Sequence, residues 1–285
     1  MRKIAFRQVD VFTRVPFKGN PVAVVLDGSG LSATEMQRIA AWTNLSETTF
    51  VLPPTSAAAD YRLRIFTPRR ELPFAGHPTI GSAHAVLEAG LAKPKAGKLR
   101  QECEAGVLEL AVEGEVLWLK APPASMKALE GARRGEVEKT LGARVSGAPV
   151  IVTVGPVWLV AELEDAGAVD RLLPDLTAIG ALTDSIQATG ITVFGKASAS
   201  DTVHVRSFAP AQGIPEDPVC GSGNISVAAV RGKSAGPYMA KQGMQLGRDG
   251  RVSIRFEGEQ ILLGGSAVTC VEGTLRVEGQ ATRQL

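Results

Sequence analysis

The sequence predicts an α+β protein of two pseudo-symmetric domains, each a curved, mostly antiparallel sheet wrapped around a central helix. Three observations carry that expectation. Two strand-to-helix junctions, RIFTPRRELPFAGHPTIGSAHA from Arg64 and RSFAPAQGIPEDPVCGSGNISVA from Arg206, share one plan: F-x-P closing a β-type run, a polar loop, then a Gly-containing turn opening a small-residue helix. Pro68 and Pro210 stand 142 residues apart, half the length of a 285-residue chain. Many strand-like runs alternate apolar and polar residues, as in Tyr61-Arg62-Leu63-Arg64-Ile65, which favours half-buried antiparallel strands over the continuous apolar strands of a parallel sheet. The helices after the junctions are rich in Ala, Ser and Gly, and so suit burial inside a curled sheet where backbones approach closely.

The opening MRKIAFRQVDVF alternates like a strand and lacks the apolar core of a signal peptide. Strands are expected over 4–12, 22–26, 61–66, 107–112 and 116–120, then over 150–154, 157–163, 202–208, 252–256, 260–263 and 267–271. Ser32-Ala-Thr-Glu35 is a capping box ahead of Met36, Ile39 and Ala40, so a helix begins near residue 33 and stops near Asn44, before the β-favouring run Thr48 to Val51. A second helix covers Pro78 to Glu88, a third runs from Val169 to Leu182 with Pro174 bending or splitting it, and a fourth from Ser222 to Val230. The most apolar stretch, Ala148 to Ala161, is too short to span a bilayer and is broken by Gly155-Pro156. It reads as a hairpin of buried strands. Ala121-Pro-Pro-Ala-Ser125 marks the boundary, giving domains over 1–120 and 121–268; the last strands suit either half, and 269–285 are open to completing the first.

Composition excludes several functions. With 31 basic and 29 acidic residues the net charge is +2, which offers no electrostatic footprint for nucleic acid or an anionic membrane. Cys103, Cys220 and Cys270 are an odd, sparse set without C-x-x-C spacing, so neither a disulfide framework nor a zinc site is expected, and a reducing cytoplasm is the default. No metal and no cofactor is called for.

The candidate chemistry lies at the junctions. Glu47 opens a strand in NLSETTFV; it is either a solvated carboxylate at an element boundary or, against Leu45, Phe50 and Val51, an acid/base whose pKa an apolar wall raises. His77 stands between Gly76 and Pro78 at a helix start, where a core histidine and a ligand-facing one are both reasonable. His84 is a helix length too far along for one metal ion to take both. Asp217 precedes CGSGN, as a cap or as a partner for a substrate amine or hydroxyl. The Gly221-Ser222-Gly223 turn, and Gly76, His77 and Thr79 in the first half, would offer backbone N–H groups to an anion. A carboxylate held between two helix N-termini is the natural ligand. Cys220 would have a lowered pKa at its helix start, but its counterpart is Ala75, so a thiol pair is absent.

Together VDVFTRVPFKGNPVAVV, NLSETTFV, FAGHPTIGSAHAVL, EDPVCGSGN and QGMQLGRDGRV resemble the PhzF-like family, named for the isomerase of phenazine biosynthesis, within the diaminopimelate epimerase fold. The resemblance implies two like domains with an active site between them, and a homodimer. It implies that Glu47 transfers the proton, that His77 and Asp217 contact a small carboxylate substrate, and that Ser222 with the Gly76 and Gly221 backbones completes the pocket. Where the sister epimerases place a cysteine on each face, this chain has Cys220 and Ala75. The reading is therefore a cofactor-independent isomerase in which one glutamate moves a proton within a small cyclic or unsaturated amino or hydroxy acid. The alternatives are a one-thiol epimerase using Cys220 and a non-catalytic small-molecule binder.

Overall fold

The computed structural model describes residues 1–197 and 201–278. The chain divides into two compact units, Met1–Leu119 joined by the segment that begins at Gly265, and Lys120–Gly264. The sequence places the boundaries at 120/121 and 268/269; the part of the final segment beyond residue 278 lies outside the described residues.

In chain order the first unit holds β1 (Arg2–Val11), β2 (Asn20–Val25), α1 (Ala33–Thr43), β3 (Thr48–Leu52), β4 (Tyr61–Phe66), the short β5 (Glu71–Leu72), α2 (Gly76–Glu88), β6 (Lys98–Cys103), β7 (Gly106–Glu113) and β8 (Val116–Lys120). The second holds β9 (Ser125–Ala128), α3 (Arg134–Leu141), β10 (Val150–Thr153), β11 (Val157–Glu162), α4 (Ala166–Asp170) and α5 (Leu176–Ser185). It continues through β12 (Gly190–Lys196), β13 (Thr202–Ala209), β14 (Ile214–Asp217), α6 (Gly221–Arg231), β15 (Tyr238–Gln242), β16 (Gly250–Glu257) and β17 (Gln260–Gly265). The last strand, β18 (Ala267–Val277), returns to the first unit.

Strand pairing is the same in both units. In the first, β18, β1 and β2 are successively antiparallel, β2 and β3 parallel, β3 and β4 antiparallel, β4 and β6 parallel, and β6, β7 and β8 antiparallel, with β5 on the far end of β4. In the second, β9, β10 and β11 are antiparallel, β11 and β12 parallel, β12 and β13 antiparallel, β13 and β15 parallel, and β15, β16 and β17 antiparallel, with β14 on the far end of β13. Each parallel pair needs a crossover, and helices supply it. The place of β9 in the second unit is taken in the first by β18.

One helix of each unit is enclosed by its own strands. α2 packs on β1, β2, β3, β4 and β18, and α6 on β10, β11, β12 and β16. Small residues permit this: a Cβ on Gly81 would lie 2.5 Å from Val22 Cγ1 and 2.7 Å from Val11 Cγ2. The opposite sheet face carries α1 in the first unit, where Met36 and Ala40 pack on Ile4, Val25, Phe50 and Phe66. In the second unit Val137, Leu141, Val169, Ile179 and Leu182 from α3, α4 and α5 pack on Leu159, Val193 and Phe208.

The capping box at Ser32 and Glu35 is present in full, and α1 ends at Asn44 with φ 55°, a left-handed conformation that asparagine tolerates. α2 starts at Gly76 rather than Pro78, because proline is accommodated in a helix's first turn. The third expected helix is two, split around Pro174, and Asp175 caps the second. Several elements were not expected from the sequence: β6, β12 and β15, the short β5 and β14, α3, and β9, whose four residues are all exposed. β18 runs to Val277, beyond the expected residue 271; its middle is exposed, while Leu275 and Val277 near its end pack against the core of the first unit.

Candidate active site

The first unit places Glu47 between the left-handed Asn44 and the start of β3, where its carbonyl accepts the Ala23 N–H at 3.3 Å and fixes it beside β2. Its side chain is 15% exposed, and Oε2 lies 3.3 Å from Nε2 of His77, the second residue of α2. Oε2 is buried without a hydrogen-bond partner among the described residues. Burial raises the carboxyl to about 7, against a smaller opposing hydrogen bond from Ser46. Thus the structure brings Glu47 and His77 together.

Around this pair α2 opens without a side-chain cap, because its N-cap is Ala75. A Cβ on Gly76 would meet nothing within 4 Å, so the helix start faces open space. Thr79 does not belong to that opening. It is fully buried, its N–H donates to Ala75 O at 3.3 Å, and its hydroxyl accepts from Gln101 Nε2 at 3.1 Å. Gln101 in turn accepts the Tyr61 hydroxyl at 2.8 Å. Lying one turn inside the helix, Thr79 has the backbone N–H expected to serve an anion engaged within the helix instead.

In the second unit Asp217 ends β14 and accepts the Val219 N–H at 3.0 Å through Oδ1. Gln242 locks the turn that follows: Oε1 accepts from Cys220 N at 3.1 Å and Asn224 Nδ2 at 2.9 Å, while Nε2 donates to Asp217 O at 2.9 Å. Cys220 is the N-cap of α6, its sulfur accepting the Gly223 N–H at 3.3 Å. Burial, then the neighbouring Asp217 charge, push this thiol well above its ordinary value. The expected lowering by the helix start is therefore overturned: desolvation outweighs one amide.

Gly223 is also corrected from ligand contact to packing. Its N–H serves the Cys220 cap, and a Cβ there would lie 2.6 Å from Ser207 Oγ. Gly221 is buried at the first position of α6, and Ser222 is half-buried at the second. Ser222 Oγ accepts the indole N–H of Trp158 at 3.0 Å.

Sequence reading missed the residues that hold these turns. Arg64 makes a bidentate pair with Glu71, both contacts 2.7 Å, and Arg206 does the same with Glu216 at 2.8 and 2.9 Å. Each guanidinium also sits over the phenylalanine of its F-x-P, 5.1 Å from Phe66 and 5.0 Å from Phe208. The repeat itself held this signal, since both junctions begin with Arg and carry a Glu before the glycine turn. His84 pairs with Thr269 at 3.3 Å and Glu88 at 3.9 Å, away from His77 in role. Among the described residues no group of three or more His, Cys, Asp or Glu side chains could hold a metal ion. No described helix is long and apolar enough to cross a membrane.

Known proteins resemble this chain along nearly all its length. The phenazine biosynthesis-like protein family, PhzC-PhzF, matches residues 9–273. A Schizosaccharomyces pombe protein named antisense-enhancing sequence 1 is 42% identical over 96% of this chain and 99% of its own. The trans-2,3-dihydro-3-hydroxyanthranilate isomerase of Pseudomonas aeruginosa is 34% identical, covering 96% of this chain and 97% of its own. The crystal structure of a Bacillus anthracis PhzF-family protein superposes with a TM-score of 0.85 at 27% identity, over 97% of this chain and 100% of that one.

Proposed function

This chain belongs to the phenazine biosynthesis-like (PhzC-PhzF) family and is an isomerase of it, and we propose that Glu47 alone carries its proton transfer. The observation behind the reading is a buried carboxyl held at about 7, with one oxygen 3.3 Å from His77 Nε2. Near neutral pH such a group is present both as base and as acid, which one residue needs if it is to remove a proton and return it. The carboxylate takes an acidic C–H proton, the electron pair moves into the conjugated system of the substrate, and the resulting carboxylic acid protonates another carbon. No cofactor is needed in this scheme, because the conjugated substrate is its own electron sink.

The substrate class is a small cyclic or unsaturated amino or hydroxy acid. The name of the Pseudomonas relative's reaction describes a compound of that class. On this reading His77 in the first unit orients a polar group of the substrate and the Gly76 amide offers a donor to its carboxylate, and in the second unit Asp217 and the first-turn amides at Gly221 and Ser222 offer the same two functions. A thiol mechanism through Cys220 is disfavoured, since that sulfur is buried, caps α6 and is pushed away from thiolate formation. The resemblance further supports a homodimer, which sedimentation of the purified protein would test.

Glu47→Gln conserves shape and should keep ligand binding while turnover falls roughly 10²–10⁴-fold. Wild-type enzyme in heavy water should place deuterium on the carbon that receives the proton. A Glu47→Gln variant turning over a confirmed substrate at the wild-type rate would falsify the mechanism.

A further inference from the structure

The identical strand pairing of the two units allows their site positions to be matched residue by residue. Phe66 pairs with Thr48 across β3 and β4, and Phe208 pairs with Ile191 across β12 and β13. The residue before each of these partners is Glu47 in the first unit and Gly190 in the second. On the neighbouring strand the ladder sets Ala23 against Thr48, hence Val22 against Glu47, and Trp158 against Gly190. Along the central helices Ala75, Gly76 and His77 correspond to Cys220, Gly221 and Ser222.

Gly190 therefore stands where Glu47 stands, and the contact to the second helix residue comes in the second unit from Trp158, the counterpart of Val22, to Ser222. In both units a side chain from the strand edge reaches the second residue of the enclosed helix, at 3.3 Å in the first and 3.0 Å in the second. The chemistry differs. Gly190 carries no side chain and has no room for one: a Cβ there would lie 2.2 Å from Phe208 O and 2.7 Å from the Trp158 ring. The indole fills the space that a base would need.

We propose that Trp158 is a positioning residue that aims the Ser222 hydroxyl proton at the carboxylate of the ligand. A serine hydroxyl has one proton and two lone pairs, while an indole N–H can only donate. By donating at 3.0 Å, Trp158 occupies a lone pair and stops the hydroxyl from turning its proton toward the ring. The other neighbour of Ser222 Oγ is the Cys220 sulfur at 3.6 Å, a weak acceptor already engaged by the Gly223 N–H. An incoming carboxylate oxygen is the stronger acceptor, and Ser222 is half-buried between two buried glycines, at the place where it can be reached. Trp158 itself is 3% exposed and so is held in one orientation. Toward the matching helix position the first unit thus presents a carboxyl group and the second an indole N–H. This inference rests on the proposed carboxylate site but not on Glu47.

The test is a double-mutant cycle read as binding of anthranilate, benzoate and L-proline by calorimetry, using the full chain. Trp158→Phe keeps the ring and removes the N–H; Ser222→Ala removes the hydroxyl. Each single change should weaken the bound carboxylate about tenfold, and the double variant should bind no more weakly than Ser222→Ala. In addition, the Trp158 indole N–H resonance, one of three indole signals in the chain, should shift when the carboxylate is added to wild type and stay still in Ser222→Ala. This second measurement decides the matter if Trp158→Phe does not fold. Wild-type affinity in Trp158→Phe, losses that multiply in the double variant, a resonance indifferent to ligand, or no binding of any of the three carboxylates would each overturn the proposal. Failure of the Glu47 mechanism appears instead in turnover, with this binding cycle unchanged.

Discussion

Burial of Glu47 should couple activity and stability in opposite senses. Its folded pKa, about 7, stands above the ordinary 4.5, so the folded chain holds a proton that the unfolded chain gives up. Its favourable contribution is complete below about 4.5 and is lost as pH rises through about 7. As a base, however, Glu47 becomes competent over that same rise, and kcat/KM should climb with an inflection near 7. Glu47→Gln, which cannot ionise, should match wild type in urea unfolding at pH 4 and exceed it at pH 8 by roughly 2–3 kcal/mol at most. Equal midpoints at both pH values would remove the argument from burial. At Cys220 the expectation is silence: in the folded protein this thiol should resist iodoacetamide at pH 8, read by peptide mapping against the partly exposed Cys270, and Cys220→Ser should keep its activity, since a serine caps a helix well. Loss of activity in a folded Cys220→Ser would return the thiol mechanism to consideration. Glu47, His77 and Asp217 stand out in the sequence because they flank glycine turns and element boundaries, and the structure brings Glu47 and His77 within 3.3 Å. Thr79 and Gly223 meet their neighbours Gln101 and Ser207 only in three dimensions, and the burial that dominates at Cys220 is likewise a product of the fold.

Among the elements, the short β5 and β14 hairpins lead directly into the site helices, and each is fastened by an arginine pair. The two pairs differ in burial: side-chain exposure is 21% and 31% for Arg64 and Glu71, but 5% and 10% for Arg206 and Glu216. Removing one partner of a buried pair strands the other, so Arg206→Ala should destabilise by about 3 kcal/mol and Arg64→Ala by about 1 kcal/mol. Denaturant midpoints of the two variants test the order, and equal losses would show that burial is not what separates them. A joint Arg206→Met, Glu216→Leu change should recover most of the loss, since apolar replacements leave no charge unpaired. This layer of the fold was half legible. The capping box, the alternating strands and the small-residue helices are local patterns, and the sequence displays them without help from the tertiary structure. β9 and α3 were not legible, because Ser125 to Ala128 is wholly exposed and the eight residues of α3 bury only Val137, Thr140 and Leu141. The β4–β6 and β13–β15 pairings join strands separated by a helix and a loop, and nothing in a single sequence fixes which strand returns beside which.

At the scale of the whole molecule, the two units share one strand order but assemble it from the chain differently. The second unit is continuous: β9 precedes β10 with α3 between them and pairs with it antiparallel. The first unit begins with β1 and obtains the equivalent neighbour, β18, only after the second unit has been completed. β18 pairs with all of β1 from Arg2 opposite Val277 to Val11 opposite Ala267, and α2 packs against it as well. Without β18 the long β1 edge would be open along its length, and such an edge invites pairing with other chains. Residues 120–264 expressed alone should therefore unfold cooperatively, while residues 1–119 alone should aggregate. Because Val277 lies opposite Arg2, the end of β18 can be joined to the start of β1 by a short hairpin loop. A permuted fragment, 265–278 followed by a Gly-rich linker and then 1–119, should restore a soluble, cooperatively melting unit. Circular dichroism and thermal melts of the three fragments provide the check. If 1–119 folds as well without β18 as with it, then the last strand is an accessory to the first unit and not one of its structural members.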